Sequence, residues 1–285
     1  MKYLVNVANI NIELEYIDDW EVMPTASLFF ISNVGKPDIK VKINVMERIY
    51  ISNNGKPDVQ TSAWNMTNIQ EKKRFDFLDK GIAIAQMMVS EDYTNICLDI
   101  SRSSLHDIMP PIFVMVPIIS GYMLSNCKGM FFHGALVRIN GHGLILTGKS
   151  GAGKSTLSRL FSECGYTKIG DDRLILRIGE NGKIVAYSTP FDLKMNSWVN
   201  DSCTVSSIMF LEHSTDEYNY IIKIDSREAI NKIIYANFLP LFAMDKFRDH
   251  VAMCHDVLKD VPVYNLTFVP NSSSVSFCER MLNVF

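Results

Sequence analysis

One stretch, Gly143 to Phe161, constrains the fold of this chain more than any other feature. It reads GLILTGKSGAGKSTLSRLF: the β-prone residues Leu144–Thr147 lead into the glycine-rich turn Gly148–Ser155, and a periodic segment follows as far as Cys164. That order predicts a strand, a loop and a helix. In a Gly-x4-Gly-Lys-Ser loop, the glycines let successive backbone N–H groups curl around a polyphosphate, and the helix adds the positive end of its dipole.

This chemistry gives the loop residues individual roles. We expect Lys154 to reach the β and γ phosphates and the Ser155 hydroxyl to bind Mg²⁺. The expected cofactors are therefore ATP, or another nucleoside triphosphate, and Mg²⁺. A purely structural glycine turn is the alternative. The residues predicted to surround the phosphates are Gly148, Lys149, Ser150, Gly151, Ala152, Gly153, Lys154, Ser155 and Thr156.

Charge and composition limit the other partners. The 285 residues are 47% apolar, which is typical of a globular protein with a sizeable core. The formal net charge of −3 gives no electrostatic case for binding nucleic acid or an acidic membrane surface. We therefore expect a nucleotide and a peptide or small-molecule hydroxyl acceptor as partners, with a homo-oligomer left open.

Two segments favour a cytoplasmic location without a membrane span. The first twenty residues alternate apolar and polar side chains and reach an acid at Glu13, unlike the apolar core of a signal peptide. The uncharged segment Ile108–Leu124 is seventeen residues long, shorter than the roughly 20 needed to span a bilayer, and contains three prolines. We expect it to be a buried helix started by Pro110-Pro111, rather than a membrane span.

The amino-terminal part is predicted to be rich in β-structure. Alternating residues predict strands within residues 1 to about 65, and a further strand is predicted at Tyr93–Ile100. Residues 66–93, which include a charged run and then an apolar run, fit a helix or a helix and a strand. The predicted amino-terminal strands are Lys2–Asn6, Asn11–Tyr16, Ile39–Ile43 and Arg48–Ile51.

A short repeat lies inside this part. The segment Phe30–Ile39 recurs twenty residues later as Tyr50–Val59, each copy with Asn, Gly, Pro and Asp between apolar flanks. This composition predicts two similar hairpins in one sheet. Two copies of a ligand-binding loop are the alternative.

From Met130 the pattern indicates a larger α/β module. We predict a strand at Met130–Ile139, a hairpin turn at Asn140–Gly143, the loop and helix already described, and a helix end at Gly165. The later predicted strands are one before Asp171, then 174–178, 183–187, 205–211, 218–224 and 263–269, with helices within 227–259 and from Ser273.

Three elements of this module recur together in a known family. His133 lies fifteen residues before Gly148, and Asp171-Asp172 follow Lys154 by seventeen and eighteen residues. With the strand HGALV, the turn GHG, the loop GKSGAGKS and the segment GYTKIGDD, this order resembles the carboxy-terminal catalytic domain of bacterial HPr kinase/phosphorylase. The resemblance covers residues 130 to about 178.

The resemblance implies an α/β fold, a P-loop kinase module of the HPr kinase carboxy-terminal type preceded by a β-rich region. The chain is expected to divide into residues 1–125 and the catalytic residues 126–285. Because no phosphate-binding motif lies before residue 130, the first part is expected to contact the acceptor. The resemblance further implies that Asp171 is the general base for a serine hydroxyl, that Asp172 supports the metal, and that His133 lies near the phosphates. A turn-capping role for the aspartates and a core position for His133 stay open, and either a charge-neutralising or a solvated role fits Arg159, Arg173 and Arg177.

The family's glycine-rich second signature has no match between Ser188 and Asp256. The layout therefore resembles HPr-kinase-related proteins that act on ribosomal peptide precursors, including lasso-peptide precursors, more than HPr kinase itself. The leading hypothesis is an ATP- and Mg²⁺-dependent kinase that acts on Ser or Thr of a peptide. A nucleotide-binding regulatory module with little transfer activity is the main alternative. A transport or motor ATPase is disfavoured because the chain has no LSGGQ signature.

Overall fold

Two β-sheets and five α-helices make up the described part of the chain, which is a mixed α/β protein. The computed structural model describes residues 1–16, 26–32, 35–51, 56–104, 112–191, 199–214, 218–236 and 241–282. Two units each have their own dense internal packing. The first unit is Met1–Cys127 with Pro240–Lys246, and the second is Lys128–Leu239 with Phe247–Phe285.

The first unit contains an eight-stranded sheet in the order β1-β2-β3-β8-β7-β6-β5-β4. The pairs β2–β3 and β3–β8 are parallel, and the other neighbours are antiparallel. Its strands are β1 (Lys2–Val7), β2 (Ile10–Tyr16), β3 (Ile39–Met46), β4 (Val59–Gln60), β5 (Trp64–Ile69), β6 (Lys72–Asp79), β7 (Ile82–Ser90) and β8 (Asn95–Ser101).

Strict alternation explains why the first strands form. In β2, Ile10, Ile12 and Leu14 are buried on one face while the residues between them face the other side. The strands predicted at Lys2–Asn6, Asn11–Tyr16 and Ile39–Ile43 are confirmed and correspond to β1, β2 and the first part of β3. The strand predicted at Arg48–Ile51 is wrong, because Arg48 and Tyr50 are both exposed and the segment has no buried face.

The prediction of a helix within residues 66–93 is also wrong, since this segment forms the antiparallel strands β5, β6 and β7. Gln70 and Lys80 adopt positive φ angles of 53° and 48°, and this makes tight turns between the strands. The charged run, Glu71–Arg74, begins in the turn and continues on β6, where Lys73 is buried with its Nζ atom 2.9 Å from an Asp245 carboxylate oxygen. Because Lys73 is paired on a strand, the charged run in the sequence did not indicate a helix.

The repeated segments carry equivalent aspartates with equivalent roles. Asp38 accepts a hydrogen bond from the backbone N–H of Asn11 at 2.8 Å, and Asp58 accepts one from that of Asn68 at 2.6 Å. The two copies end where β3 and β4 begin, at Ile39 and Val59. The prediction of two hairpins is wrong, because β3 pairs in parallel with β2 and β8, and β4 pairs with the strand that follows it, β5. The turns themselves fall partly outside the described residues, at positions 33–34 and 52–55.

The apolar segment forms helix α1 (Ile112–Asn126), as predicted, while the proline pair before it lies outside the described residues. Its buried side chains include Val114, Ile118 and Met123. Tyr93 packs so closely on Gly121 that a methyl group there would lie 2.1 Å from the ring. In the described parts of the chain, no helix has the length and apolarity needed to cross a membrane.

The second unit contains a nine-stranded sheet, β12-β10-β11-β15-β14-β13-β9, from which β17 and then β16 branch at β15. The pairs β11–β15 and β15–β17 are parallel. The strands are β9 (Gly129–His133), β10 (Ala135–Ile139), β11 (His142–Thr147), β12 (Thr167–Gly170), β13 (Arg173–Ile178), β14 (Ile184–Tyr187), β15 (Ser202–His213), β16 (Tyr220–Lys223) and β17 (Val263–Phe268).

Four helices cover the two faces of this sheet: α2 (Lys154–Glu163), α3 (Ser226–Ala236), α4 (Phe247–Asp260) and α5 (Ser272–Leu282). In β11, Leu144 and Leu146 join the core that contains α2 and α5, whereas Ile145 joins the core that contains α3 and α4. Burial on both faces explains the continuous apolar run of this strand.

The strand predicted over Met130–Ile139 is interrupted at Gly134, and this corrects the prediction. A side chain at Gly134 would lie 2.9 Å from the Leu146 carbonyl oxygen, so the backbone can pass there only without one. The chain then changes neighbours, because β9 pairs with β13 while β10 pairs with β11 and β12. His133 is consequently the last residue of β9, directly before the break.

His250 on α4 gives the fold a testable dependence on pH. Its side chain is buried, its Nε2 atom has no hydrogen-bond partner within the described residues, and this burial lowers the pKa of its imidazole. The unfolded chain binds a proton near pH 6.5, whereas the folded chain resists it. The contribution of the neutral imidazole is therefore fully present above about pH 6.5 and is lost as the pH falls below that value.

We expect the free energy of unfolding to fall less between pH 7 and pH 5 in His250→Leu than in the wild-type protein. Urea denaturation at a series of pH values measures this difference. The control is His255→Leu, on the exposed side of the same helix, which should keep the wild-type pH slope. If the free energy of unfolding depended equally on pH in all three proteins, the assignment of this pH dependence to His250 would be contradicted.

Candidate functional site

The glycine loop joins the end of β11 to the start of α2. Gly148, Gly151 and Gly153 have φ angles of 145°, 81° and 95°, and the Ala152 N–H donates to the Lys149 carbonyl at 3.1 Å. These positive angles are readily adopted only by glycine. The loop therefore contains a tight turn over Lys149–Ala152.

Close contacts explain why two of these positions carry no side chain. An added Cβ at Gly148 would lie 3.2 Å from the backbone oxygen of Leu211 at the end of β15. At Gly153 it would lie 2.5 Å from the Phe268 ring and 3.0 Å from the His213 ring. The loop thus rests directly on the carboxyl ends of β15 and β17.

Lys154, the first residue of α2, turns its side chain back over the loop. Its Nζ atom donates to the carbonyl oxygens of Gly148, at 2.9 Å, and Lys149, at 3.2 Å, and only 9% of the residue is exposed. The positive charge is held inside the loop, where an anion would meet it.

The first turn of α2 adds to this positive potential. Its N-cap residue, Gly153, makes no side-chain capping hydrogen bond, so no side chain neutralises the helix start in this way. Uncapped N–H groups and the helix dipole both favour an anion at this point. Ser155 is exposed and Thr156 is half-buried in the same turn.

The carboxylate of Asp171 lies behind this first turn. Lys168 Nζ is 3.1 Å from Asp171 Oδ2, and the Ser158 hydroxyl donates to Asp171 Oδ1 at 3.4 Å. The same hydroxyl lies 3.2 Å from the Ser155 carbonyl oxygen. Asp171, which is 6% exposed, is thereby linked through one serine to the start of the helix.

Asp172 points to a different set of partners. Its carboxylate oxygens lie 3.4 Å from His133 Nδ1 and 3.4 Å from Arg173 Nη1. The Thr147 hydroxyl, at the end of β11, donates to the His133 carbonyl oxygen at 2.7 Å. His133 and Asp172 are therefore adjacent to each other and tied to the strand that leads into the glycine loop.

A pocket of about 820 Å³ opens beside the loop. This volume lies in the range of sites for small molecules and cofactors. His133 lines it, whereas Asp171 and Asp172 do not. Its lining residues are His133, Gly148, Lys149, Ser150, Gly151, Ala152, Phe210, Leu211, Glu212, His213, Glu228, Asn231, Lys232 and Tyr235.

Several of these neighbours were missed in the sequence. His213 Nε2 is 3.0 Å from the Gly151 carbonyl oxygen, and its ring packs on Phe268 with centroids 5.3 Å apart. Lys168 and Ser158, which hold Asp171, were missed as well. The signal that could have pointed to His213 is its position at the carboxyl end of a strand, where ligands bind in open α/β sheets.

The three arginines considered as charge neutralisers have different surroundings. Arg173 faces Asp172 and also donates to the Phe191 carbonyl oxygen at 3.2 Å. Arg159 is exposed on α2 and pairs with Glu163. Arg177 lies farther along β13, near Tyr187. Arg173 therefore contacts a predicted site residue, Asp172.

The predicted metal ligands, Ser155 and Asp172, offer hydroxyl and carboxylate oxygens, which are donors of the kind that Mg²⁺ prefers. In the described residues, no three or more side chains of His, Cys, Asp or Glu are grouped so that they could hold a metal ion. The oxygen atoms of these two residues are therefore suitable ligands for a hard cation such as Mg²⁺. The assignment of the metal site stays a prediction.

No family model and no curated protein matches the sequence. Among solved structures, the chain shows weak similarity to the HPr(Ser) kinase/phosphatase from Coxiella burnetii, with 12% sequence identity and a TM-score of 0.31. The match covers 54% of this chain and 93% of that chain. This similarity is too weak to support any assignment of site residues. The site is therefore interpreted from its own contacts.

Alanine substitutions in the loop test whether its packing depends on glycine. Gly151→Ala meets no atom within 4 Å and should cost only the strain of a left-handed residue, about 1 kcal/mol of unfolding free energy. Gly153→Ala adds the collision with Phe268 and His213 and should cost about 2–4 kcal/mol. Urea denaturation measures both, and equal losses would show that Gly153 does not pack against β15 and β17.

Proposed function

We propose that this protein is an ATP- and Mg²⁺-dependent phosphotransferase that acts on a hydroxyl group, with Ser or Thr of a peptide as the acceptor. A ribosomal peptide precursor is the acceptor class that the sequence layout favours. The observation that carries the proposal is the buried Lys154 ammonium group, held against the carbonyls of its own glycine loop at an uncapped helix start.

Polyphosphate is the ligand that these groups suit best. The loop offers backbone N–H groups, a buried cation and a helix dipole within one turn of chain, and each of them favours negative charge. The adjoining pocket of about 820 Å³ is large enough for a nucleotide-sized ligand.

Ser155 and Asp172 are the residues that would hold Mg²⁺. When bound, the ion would offset the negative charge of the phosphate oxygens. Lys154 carries the same kind of charge from the protein side. Asp172 lies between His133 and Arg173, which contact its two carboxylate oxygens.

Transfer requires a group that accepts the proton of the attacking hydroxyl. The acceptor oxygen forms a bond to the terminal phosphorus, the bond from that phosphorus to ADP breaks, and the hydroxyl proton passes to a base. We assign Asp171 as this base. His133 is the second candidate, because Asp172 can orient its imidazole and because it lines the pocket.

One observation favours a regulatory nucleotide-binding module instead. Asp171 is almost fully buried and already engaged by Lys168 and Ser158, which is the arrangement of a carboxylate that holds β12 to α2. In such a module, nucleotide binding would change the conformation and transfer would be slow. The two functions share the binding step and differ in the rate of transfer, so measurements on the site variants separate them.

Lys154→Ala should abolish ADP production and greatly weaken binding of Mg·ATP, because it removes the cation that faces the phosphates. Circular dichroism should show an intact fold. Lys183→Ala, in an exposed turn, is the control and should behave as the wild-type protein. Activity of Lys154→Ala above a few per cent of the wild-type rate would contradict the assignment of the loop.

The two aspartates should fail in different ways. Asp171→Asn should bind Mg·ATP normally but lower turnover by roughly 100-fold to 10,000-fold, the range expected for a general base. Asp172→Asn should instead raise the Mg²⁺ concentration that is needed, and excess Mg²⁺ should restore part of the rate. ADP production with candidate peptides, over a range of Mg²⁺ concentrations, measures both effects.

Lys168→Ala is the matched control for Asp171, because it breaks the same ion pair and leaves the carboxylate in place. If Asp171 is the base, Lys168→Ala should retain most of the turnover that Asp171→Asn loses. Equal losses of turnover in Lys168→Ala and Asp171→Asn would show that this ion pair has a structural role. His133→Gln would then be the next variant to test for loss of the base.

A further inference from the structure

One wall of the pocket beside the glycine loop is one face of helix α3. Glu228, Asn231, Lys232 and Tyr235 recur at i, i+3, i+4 and i+7, a spacing that brings side chains onto one side of a helix. All four line the same pocket as Gly148–Ala152. None of them belongs to the phosphate loop or to the carboxylate pair.

Two side chains of β15, Phe210 and Glu212, line the pocket together with α3. β15 is the parallel neighbour of β11, the strand that leads into the glycine loop. The glycine loop, the end of β15 and this face of α3 therefore surround one pocket, and a ligand whose phosphates lie in the loop can extend along it to α3.

Contacts hold part of this wall in place. Lys232 Nζ donates to Asn265 Oδ1 at 2.6 Å, lies 3.4 Å from Glu228 Oε1, and sits 5.4 Å from the centroid of the Phe210 ring. Asn265 in turn donates to Glu228 at 3.4 Å. Donor and acceptor groups are thus fixed side by side on the wall.

Tyr235 supplies the apolar surface of the wall. It is 87% exposed, which is the largest exposure among the bulky hydrophobic residues that the structure describes. An exposed aromatic ring at the rim of a polar pocket can stack on a flat ligand, and every nucleobase offers such a face. Asn231, which is also exposed, lies one helical turn away and can both donate and accept hydrogen bonds.

We propose that this face of α3 is the subsite for the nucleoside part of the nucleotide, an inference that rests on the proposed phosphate site. The Tyr235 ring stacks on the base, the Asn231 amide bonds to its edge, and the network of Glu228, Lys232 and Asn265 receives the sugar hydroxyls. The recognised class is a nucleoside attached to a polyphosphate.

Two ligands separate this subsite from the phosphate site. Mg·ATP carries both parts, whereas Mg·tripolyphosphate carries the phosphates without the nucleoside. Isothermal titration of the full chain with each ligand should be made for the wild-type protein, Tyr235→Ala, Tyr235→Phe and Tyr218→Ala. Tyr218 is the control because it is a 61% exposed tyrosine that does not line the pocket.

Tyr235→Ala should weaken Mg·ATP binding about tenfold, the loss expected from one stacked ring, and should leave Mg·tripolyphosphate binding unchanged. Tyr235→Phe and Tyr218→Ala should bind both ligands as the wild-type protein does. Unchanged Mg·ATP binding in Tyr235→Ala, or equal losses for both ligands, would overturn the nucleoside subsite. A reduced affinity for an acceptor peptide alone would assign the wall to the acceptor and overturn it too.

The phosphate site can fail separately. If Mg·tripolyphosphate did not bind the wild-type protein, or bound Lys154→Ala equally well, the proposed function would be contradicted, and the nucleoside subsite with it. If Mg·tripolyphosphate binding depended on Lys154 while Mg·ATP ignored Tyr235, only the subsite would be rejected.

Discussion

The contact between the glycine loop and the carboxyl ends of two parallel strands is the constraint on which the site depends. Gly148 abuts the backbone of Leu211 on β15, and Gly153 abuts Phe268 on β17. These strands are held in register with β11, and both faces of β11 are covered by helices. β15 and β17 therefore support the loop backbone, and the Lys154 side chain turns back over the loop.

The groups that the proposed reaction needs lie in two sets. Asp171 and Asp172 follow β12, and the chain breaks at Gly134, so that His133 lies beside Asp172. β15 and α3 line the pocket together with His133 and the glycine loop. A single nucleotide along the loop would connect the two sets, with its phosphates toward His133 and Asp172 and its nucleoside toward α3.

Local patterns in the sequence predicted the strand β11, the loop and α2, because glycine, lysine and apolar periodicity act over a few residues. The alternation in β2 and β3 was equally clear. The break at Gly134 could not be predicted, since it depends on the Leu146 carbonyl of another strand. The α3 wall and the burial of Lys73 could not be predicted either, because both depend on partners that are distant in the sequence. His213 was missed although its position at the carboxyl end of a strand could have pointed to it.

Hydrogen–deuterium exchange of the full chain, with and without Mg·ATP, tests directly whether the loop between β11 and α2 binds phosphate. Slowed exchange should be concentrated in the amides of residues 148–156, because their N–H groups would become hydrogen-bonded to the phosphates. Smaller protection is expected at the end of β15. Protection confined to the sheet of residues 2–101, or unchanged exchange in the loop at saturating Mg·ATP, would contradict phosphate binding at this loop.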